Sequence, residues 1–389
     1  MNIALYIHIP FCRRKCPYCD FNSYAGLDAL QAPYVKALIA EMNWLAERGE
    51  WQANTLFIGG GTPTVLPLLL LTRVLSAARL AFHIPLPAEI TIEANPGTVD
   101  ESYLAGLRSA GANRLSLGAQ SFHDDELHLL GRIHTVAEID KALRAARQAG
   151  FQNLNLDLIY GLPGQSLERW RNTLERALVL SPEHLSLYSL GIEKGTPFAG
   201  RIAAGDLPAP DDDLAADMYE LAEDMLEQEG YRHYEISNWA KGDSQFACRH
   251  NLTYWRNEPY LGLGAGAHSS WGGRRWHNLL SPSEYVAGMA AQSSGRAPWQ
   301  NPAAAEVEVI DRPLAMGETM MLGLRLVEEG VPLARFSSRF ARPLSNVYGS
   351  ELDALQERGL LELLPDRARL TRRGRLLGNQ AFAPFLPDE

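Results

Sequence analysis

Three of the chain's four cysteines fall within eight residues, directly after a short apolar run at positions 3–10. They are Cys12, Cys16 and Cys19, in the spacing C-x3-C-x2-C. Three thiolates at this spacing can hold three corners of a cubic [4Fe-4S] cluster and leave the fourth iron free for a ligand that is not protein. The motif therefore predicts a reactive iron–sulfur cluster at the end of an amino-terminal strand.

Two other uses of these thiols stay open from the spacing alone. A structural zinc ion takes four closed ligands, commonly as two pairs, and the segment has no second pair. His8 is the nearest fourth ligand, but it belongs to the preceding strand. A redox thiol pair is the other alternative. A disulfide framework is disfavoured because a chain of 389 residues can build its core without such links.

The composition is that of an ordinary globular protein, with 46% hydrophobic and 21% charged residues, and the length predicts two or three domains. Reduced thiols and the lack of a signal-like first segment predict a cytoplasmic protein. The net charge of -10 argues against nucleic acid as the main partner. One arginine-rich stretch, 367–375, is interpreted as a solvated hairpin.

Short apolar runs alternate with helical patterns, which is typical of βα units around a parallel sheet. Strands are predicted at 4–9, 55–58, 89–93, 114–118, 153–158 and 184–190, and helices near 33–48, 66–80, 100–110, 135–149 and 167–180. Right-handed crossovers place the carboxyl ends of such strands on one rim, where ligands bind. The pattern predicts an α/β fold built on an incomplete (βα)6 barrel.

Changes in the hydrophobic pattern of the sequence divide the chain into three predicted segments. An aspartate-capped helix to about residue 228 and a strand at 231–237 complete a first domain, 1–238. Residues 239–310 are rich in Gly, Trp and His with little periodicity, which predicts a connecting region. In 311–389, helices at 317–324 and 352–358 and β-like runs at 360–364 and 369–371 predict a mainly helical, winged-helix-like domain.

Polar residues follow the predicted strands where ligands are expected. Three glycines at 59–61 let a backbone approach a ligand closely, and Glu93 ends the third strand, placed to bind a ribose diol or an amine. Gln120, Arg132 and Asp157 lie after or near the next strand ends. Each alone is as well explained by a helix cap or a loop contact. Their position on one rim favours a binding site.

These motifs carry a family resemblance. They are YIHIPFC at 6–12, GGGTP at 59–63, IEANP at 92–96, GAQSF at 118–122, LGR at 130–132 and DLIYGLP at 157–163, beside the cysteine triad. The sequence resembles the radical S-adenosylmethionine superfamily, specifically the branch of oxygen-independent coproporphyrinogen oxidases. CDFNS at 19–23 and HNLTYW at 250–255 are most similar to the oxidase-like heme chaperones of that branch.

The resemblance implies that S-adenosylmethionine chelates the open iron and is cleaved to methionine and a 5'-deoxyadenosyl radical by an electron from the reduced cluster. By position, contacts to the cluster-bound molecule fall on Tyr6, Gly60 and Glu93. A second S-adenosylmethionine, as in the true oxidases, corresponds to Tyr18, Gly61, Thr62, Gln120, Arg132 and Asp157. Whether one or two molecules bind stays open.

One departure from the oxidase pattern decides between two functions. True coproporphyrinogen oxidases carry a further cysteine two residues after the third, and Phe21 stands there in this chain. The resemblance therefore predicts a heme chaperone without coproporphyrinogen dehydrogenase activity, with oxidative decarboxylation to protoporphyrinogen IX as the alternative. The partners it implies are heme, recipient hemoproteins such as respiratory cytochromes, soluble or membrane-bound, and an electron donor. A nucleic-acid regulator is the weakest alternative.

His250 is the candidate heme ligand outside the barrel. Imidazole is a common axial ligand of heme iron, and Tyr254, Trp255 and Trp271 could offer aromatic surface to a porphyrin. Cys248, two residues away, could share the ligation. A hydrogen-bonded structural histidine is the alternative interpretation.

Overall fold

The computed structural model describes residues 1–242, 244–291 and 294–387. Its first part contains β1 (Asn2–Ile9), β2 (Phe11–Cys12), β3 (Tyr24–Ala25), α1 (Gln31–Ala46), β4 (Gln52–Gly60), α2 (Leu68–Ala81), β5 (Glu89–Ala94), α3 (Glu101–Ser109), β6 (Arg114–Gln120), α4 (Asp124–Leu129), α5 (Val136–Gln148), β7 (Leu154–Tyr160), α6 (Leu167–Val179) and β8 (His184–Ser189). Strands β1 and β4 to β8 lie side by side in parallel. The predicted incomplete (βα)6 barrel is confirmed.

Side chains alternate between the two faces of these strands. In β6 the residues Leu115 and Leu117 join the apolar core under the helices, whereas Arg114 and Ser116 face the other way. The helices start at local signals, such as the Thr135 cap with its reciprocal Glu138 bond at α5. The sheet thus has an apolar outer face under the helices and a polar inner face.

Both edges of this parallel sheet are extended by later segments. These are α7 (Pro197–Ala203), α8 (Asp212–Gln228), β9 (Tyr231–Glu235), β10 (Asn238–Lys241), α9 (Arg249–Trp255), β11 (Tyr260–Leu263), β12 (His268–Trp271), β13 (Arg274–Asn278), α10 (Pro282–Ala290) and β14 (Ala304–Val309). Strands β10 and β9 continue the sheet beyond β8, and β11 to β14 continue it beyond β1. The predicted helix and strand before residue 238 are confirmed.

The region 239–310 is more regular than its sequence predicts. Its strands β11 and β12 are four residues long, and the turn between β12 and β13 consists of Gly272 and Gly273. Segments this short leave too few repeats for alternation to be recognised. The division of the chain at 238 and 310 stays a prediction.

The last part is mainly helical around a small sheet. It contains α11 (Arg312–Gly323), β15 (Val331–Pro332), α12 (Leu333–Phe340), α13 (Ser345–Glu357), β16 (Leu361–Leu363), β17 (Arg367–Leu370), α14 (Arg372–Leu376) and α15 (Gly378–Phe382). Strands β15, β17 and β16 pair antiparallel, beside an apolar core that includes Phe336, Leu352 and Leu370. The architecture agrees with the predicted winged-helix-like unit.

The hairpin expected for the carboxy-terminal arginines is formed in part: Arg367 and Arg369 lie in β17, which pairs antiparallel with β16, but two later arginines do not stay in solvent. Arg372 donates to Glu223 over 3.0 Å and to Asp224 over 2.8 Å, and Arg375 also donates to Glu223. Both carboxylates belong to α8. Arg372 and Arg375 therefore attach the last part of the chain to α8, a contact that sequence alone does not reveal. In the part of the chain that the structure describes, every helix is too short or too polar to cross a bilayer.

Candidate functional site

The three clustered cysteines lie where β1 gives way to the loop after it. A backbone bond from Cys19 N–H to the Cys16 carbonyl, 3.1 Å long, folds this loop into a turn. Each sulfur has a polar neighbour: Thr62 Oγ1 lies 3.7 Å from Cys12, Arg132 Nη1 lies 3.5 Å from Cys16, and Ser23 Oγ lies 3.9 Å from Cys19. Burial raises the pKa of the Cys12 and Cys19 thiols, and each is raised further by its neighbouring cysteines. The three thiols therefore lie near one another at one site.

The arrangement suits a cluster better than a single ion. Among residues 1–242, 244–291 and 294–387, no three His, Cys, Asp or Glu side chains are placed to hold one metal ion. A cubane accepts each thiolate at a different iron, so its ligands need not converge on one point. His8 is not available as a zinc ligand, because its ring nitrogens bond the Tyr6 hydroxyl and the Asn22 carbonyl. Of the three uses of the thiols, the iron–sulfur cluster fits these contacts.

A cavity of about 400 Å³, which we call the cofactor cavity, opens beside the cysteines at the carboxyl ends of the strands. Its size lies in the range of small-molecule pockets. The predicted S-adenosylmethionine contacts that line it, with the cysteines, are Tyr18, Gly60, Gly61, Thr62, Glu93, Gln120, Arg132 and Asp157. The structure therefore brings together all of these predicted contacts except Tyr6, which lies deeper in the barrel.

The glycine run brings backbone to the wall of this cavity. Gly60 has a φ of 111°, and a Cβ there would lie 2.4 Å from the His8 ring. A Cβ on Gly61 would lie 2.7 Å from the Phe11 carbonyl oxygen. Neither position has room for a side chain, so the glycines are required for the close approach of β4 to the cysteine loop.

Two partly buried carboxyls form the inner wall of the cavity. Gly60 N–H donates to Glu93 Oε2 over 3.1 Å, and burial, with the charge of Asp157, raises the pKa of Glu93 to about 8. Asp157 accepts bonds from Ser116 over 3.0 Å and Asn155 over 2.8 Å, and burial raises its pKa as well. These oxygens are held in place by donors on neighbouring strands, as a site for hydroxyl or amino groups requires.

Gln120 and Arg132 complete the rim. Gln120 takes a φ of 69°, a left-handed conformation that is rare for a residue with a side chain and is concentrated at functional sites. Arg132 Nη2 donates to the Gly118 carbonyl over 3.0 Å, while its Nε has no hydrogen-bond partner among the described residues. A buried donor of this kind suits an anionic or carbonyl group of a bound molecule.

A second cavity of about 300 Å³ lies inside the barrel, beneath the first. We call it the inner chamber. It is lined by Tyr6, Phe57, Glu93, Arg114, Ser116, Asp157, Ser186, Tyr188, His250, Asn251 and Tyr254. Sequence reasoning missed Arg114, Ser116, Ser186 and Tyr188. Their signal was present as polar residues at every second position of otherwise apolar strands.

The structure places His250 in the wall of this chamber, almost fully buried. Its Nδ1 bonds Thr55 Oγ1 and its Nε2 bonds the Tyr254 hydroxyl, both over 2.9 Å, and the ring stacks on Phe57. Burial, with the charge of Arg114, lowers the pKa of His250 to about 3. The neutral ring thus has both nitrogens engaged, and its ligation of heme stays a prediction.

The other residues named for heme contact lie apart from one another. Trp271 packs edge-on against Trp51 in the apolar core outside the barrel, not beside His250. Trp255 lies under the Arg325 guanidinium. The Cys248 thiol is fully buried and donates to Glu89 over 3.5 Å. Of the proposed aromatic surface, Tyr254 alone contacts His250 within the described residues.

Comparisons with known proteins agree with this geometry. Residues 6–177 match the radical SAM superfamily and residues 310–377 match the HemN C-terminal domain. The chain is 39% identical to the heme chaperone HemW of Bacillus subtilis (strain 168), over 99% of both chains. It is 37% identical to the heme chaperone HemW of Escherichia coli (strain K12), over 99% of this chain and 98% of the relative.

A solved structure supports the same assignment. Coproporphyrinogen III oxidase (HemN) from Escherichia coli, a radical SAM enzyme, superposes with a TM-score of 0.84 and 26% identity over 99% of this chain and 90% of that one. Fold and site therefore define a radical SAM protein of the coproporphyrinogen oxidase-like branch, which carries a [4Fe-4S] cluster and S-adenosylmethionine. Within that branch, the chain belongs to the HemW family.

Proposed function

We propose that this protein is a heme chaperone, which binds heme and transfers it to hemoproteins. The observation that carries the proposal is full-length similarity, at 36–39% identity, to relatives named heme chaperones from Bacillus subtilis, Lactococcus lactis, Haemophilus influenzae and Escherichia coli. Phe21 supports the proposal because it stands where the oxidases have a cysteine. Its side chain is 63% exposed and lines the mouth of the cofactor cavity, so this cavity lacks the oxidase thiol at that position.

We assign the cluster to Cys12, Cys16 and Cys19, and S-adenosylmethionine to the cavity beside them. When bound, the reduced cluster supplies an electron to the S-adenosylmethionine sulfonium. The protein's own part is to position the cofactor. Glu93 and Asp157 offer carboxyl oxygens to hydroxyl or amino groups, and the N–H groups of Gly60 and Gly61 hold the β4 loop.

Two further parts of the proposal concern the cellular setting. The recipients are hemoproteins such as respiratory cytochromes, membrane-bound ones included, and a separate protein supplies the electron. The protein acts in the cytoplasm, where cluster thiols stay reduced. The Arg13, Arg14 and Lys15 side chains beside the cysteines are exposed and favour an acidic electron donor.

A second candidate is the oxidative decarboxylation of coproporphyrinogen III. The observation that favours it is the structural match to the Escherichia coli oxidase over nearly the whole chain. The phenylalanine at position 21, where the oxidases carry a cysteine, argues against this activity.

The two functions separate in one anaerobic experiment on the cluster-reconstituted protein. Heme is titrated into the protein, and the loaded protein is mixed with an apo-cytochrome; heme absorbance should move to the acceptor. In parallel, coproporphyrinogen III is supplied with S-adenosylmethionine and reductant, and should stay intact. Formation of protoporphyrinogen in step with 5'-deoxyadenosine would overturn the chaperone proposal in favour of the oxidase.

A further inference from the structure

The inner chamber is unusual for a barrel interior. Such interiors are ordinarily filled by branched apolar side chains. Here Phe57 is the sole apolar residue among the described residues that line the chamber, and the others are hydroxyls, carboxyls, an amide, an imidazole and a guanidinium. The floor is α9, through His250, Asn251 and Tyr254. A polar volume of about 300 Å³ closed on one side has the character of a binding site.

Arg114 is the principal charge in this chamber. The residue is 2% exposed, and its Nε has no hydrogen-bond partner among the described residues. The nearby carboxylates accept hydrogen bonds from other groups, Glu93 from the Gly60 N–H. Glu89 accepts from the backbone N–H groups of Arg249 and His250, and Asp157 accepts from Ser116. Both affect the guanidinium only through space.

Nearby acidic groups stabilise this charge through space and raise the pKa of Arg114, but among the described residues none of them forms a hydrogen bond or ion pair with its side chain. The imidazoles of His184 and His250 have lowered pKa values, because they are buried and lie near Arg114, so both rings are neutral. Tyr188 and Tyr254 contribute hydroxyl groups to the chamber wall. A buried guanidinium N–H without a hydrogen-bond acceptor is costly, and the planar fork of the group matches a carboxylate with two parallel hydrogen bonds.

We propose that the inner chamber is a carboxylate-binding subsite in which Arg114 receives the carboxylate of a ligand. Glu93, Ser116, Asp157 and Tyr188 line both this chamber and the cofactor cavity above it, so a ligand arm can pass between them. The carboxylate has two possible sources. One is a small organic acid; the other is the propionate of a tetrapyrrole, and this source alone rests on the proposed heme-chaperone function.

The test uses 3,3,3-trifluoropropionate as the probe and the full chain, observed by ¹⁹F NMR. Wild type should show saturable binding, and Arg114→Gln should weaken it about tenfold or more, because the charged partner is lost. Arg108→Gln is the matched control. Arg108 bonds the Gly150 and Ala112 carbonyls at the barrel exterior, and its loss should leave the affinity unchanged. Absence of saturable binding, or equal losses in the two variants, would overturn the subsite.

A second variant keeps the test decisive if Arg114→Gln does not fold. Arg114→Lys keeps the positive charge and removes the planar fork, so probe affinity should fall several-fold while thermal stability is retained. Unchanged affinity in this variant would count against Arg114.

The two sources are separated by comparing heme with heme dimethyl ester, whose propionates are blocked. A wild-type preference for heme that Arg114→Lys abolishes assigns the propionate. Equal binding of both compounds, with probe binding still dependent on Arg114, assigns the small organic acid. If neither heme compound binds, the chaperone function fails, whereas the carboxylate subsite is still judged by the probe.

Discussion

Arg132 donates from Nη1 to the Cys16 sulfur over 3.5 Å and from Nη2 to the Gly118 carbonyl over 3.0 Å. One guanidinium thereby joins the cysteine loop to the end of β6. A fixed cation at this place lowers the cost of a negatively charged thiolate cluster and keeps the loop against the rim. The cysteine loop and the cofactor cavity therefore share Arg132. A substitution in either of them should affect ligand binding in the other.

Replacement of one clustered cysteine should remove the cluster. Cys16→Ser leaves two of the three thiolates, so we expect iron and sulfide content to fall to background after anaerobic reconstitution, with loss of S-adenosylmethionine binding. Cys248→Ser is the matched control, because that thiol is buried beside Glu89, apart from the other three. Full iron and sulfide content in Cys16→Ser would show that the assignment of the cluster is wrong.

Gly60→Ala should be far more damaging than an alanine at another left-handed glycine. Gly230 has a φ of 76° with open space around its Cβ position, so Gly230→Ala should cost about 1 kcal/mol of unfolding free energy from backbone strain alone. Gly60→Ala adds the clash with the His8 ring and should cost about 3 kcal/mol. Urea denaturation measures both. Equal losses would mean that the close packing of β4 against His8 does not limit this position.

The raised pKa of Glu93 predicts a pH dependence of stability. Its pKa is about 8 in the folded chain and near 4.5 when unfolded, so between these values the folded state binds more protons and stability falls as pH rises. Glu93→Gln removes this contribution. From pH 5 to pH 8 the variant should gain on the order of 3 kcal/mol relative to wild type in urea denaturation. Glu47→Gln, at an exposed carboxylate, should parallel wild type.

Most of the barrel could be predicted because its signals are local. The runs at 89–93 and 114–118 alternate apolar and polar residues and are followed by glycines or polar turns, and the structure has strands Glu89–Ala94 and Arg114–Gln120 there. The cofactor cavity followed from the rule that parallel strands end on one rim. Gly60 and Gln120 could be placed at that rim from strand order alone.

The inner chamber and the attachment of the last domain could not be predicted in the same way. In the sequence, Arg114 looks like an ordinary residue at the start of a strand. Its side chain faces the chamber beneath Glu93 because the sheet curves into a barrel. The contact between Arg372 and Glu223 joins residues 149 positions apart, and no local pattern encodes it. His250 was singled out for heme because of its motif, yet the fold gives both ring nitrogens hydrogen bonds inside the protein.

The role of His250 can be tested by freeing one of its nitrogens. Tyr254→Phe removes the hydroxyl that bonds Nε2 while keeping the aromatic ring. If His250 ligates heme, Tyr254→Phe should bind heme at least as tightly as wild type, and His250→Ala should lose affinity and the imidazole-ligated Soret spectrum. His250→Ala should also lose about 3 kcal/mol of stability, because two buried hydrogen bonds and a packed ring disappear. Heme spectra that are identical in all three proteins would show that the ligand lies elsewhere.

The attachment of the carboxy-terminal part to the barrel should depend on Glu223. Its side chain is 9% exposed and faces Arg372, Arg375 and His233, so Glu223→Gln leaves buried positive charge without its counter-ion. We expect a loss of about 2 kcal/mol of unfolding free energy, reduced from a fully buried pair because Arg372 is half-exposed. Asp366→Asn, beside Arg367 in an exposed pair, should leave stability nearly unchanged, because solvent screens that pair. Thermal and urea denaturation compare the two variants. A loss in Glu223→Gln no larger than in Asp366→Asn would mean that apolar packing, such as that of Ile236 against the carboxy-terminal core, holds the two parts together instead.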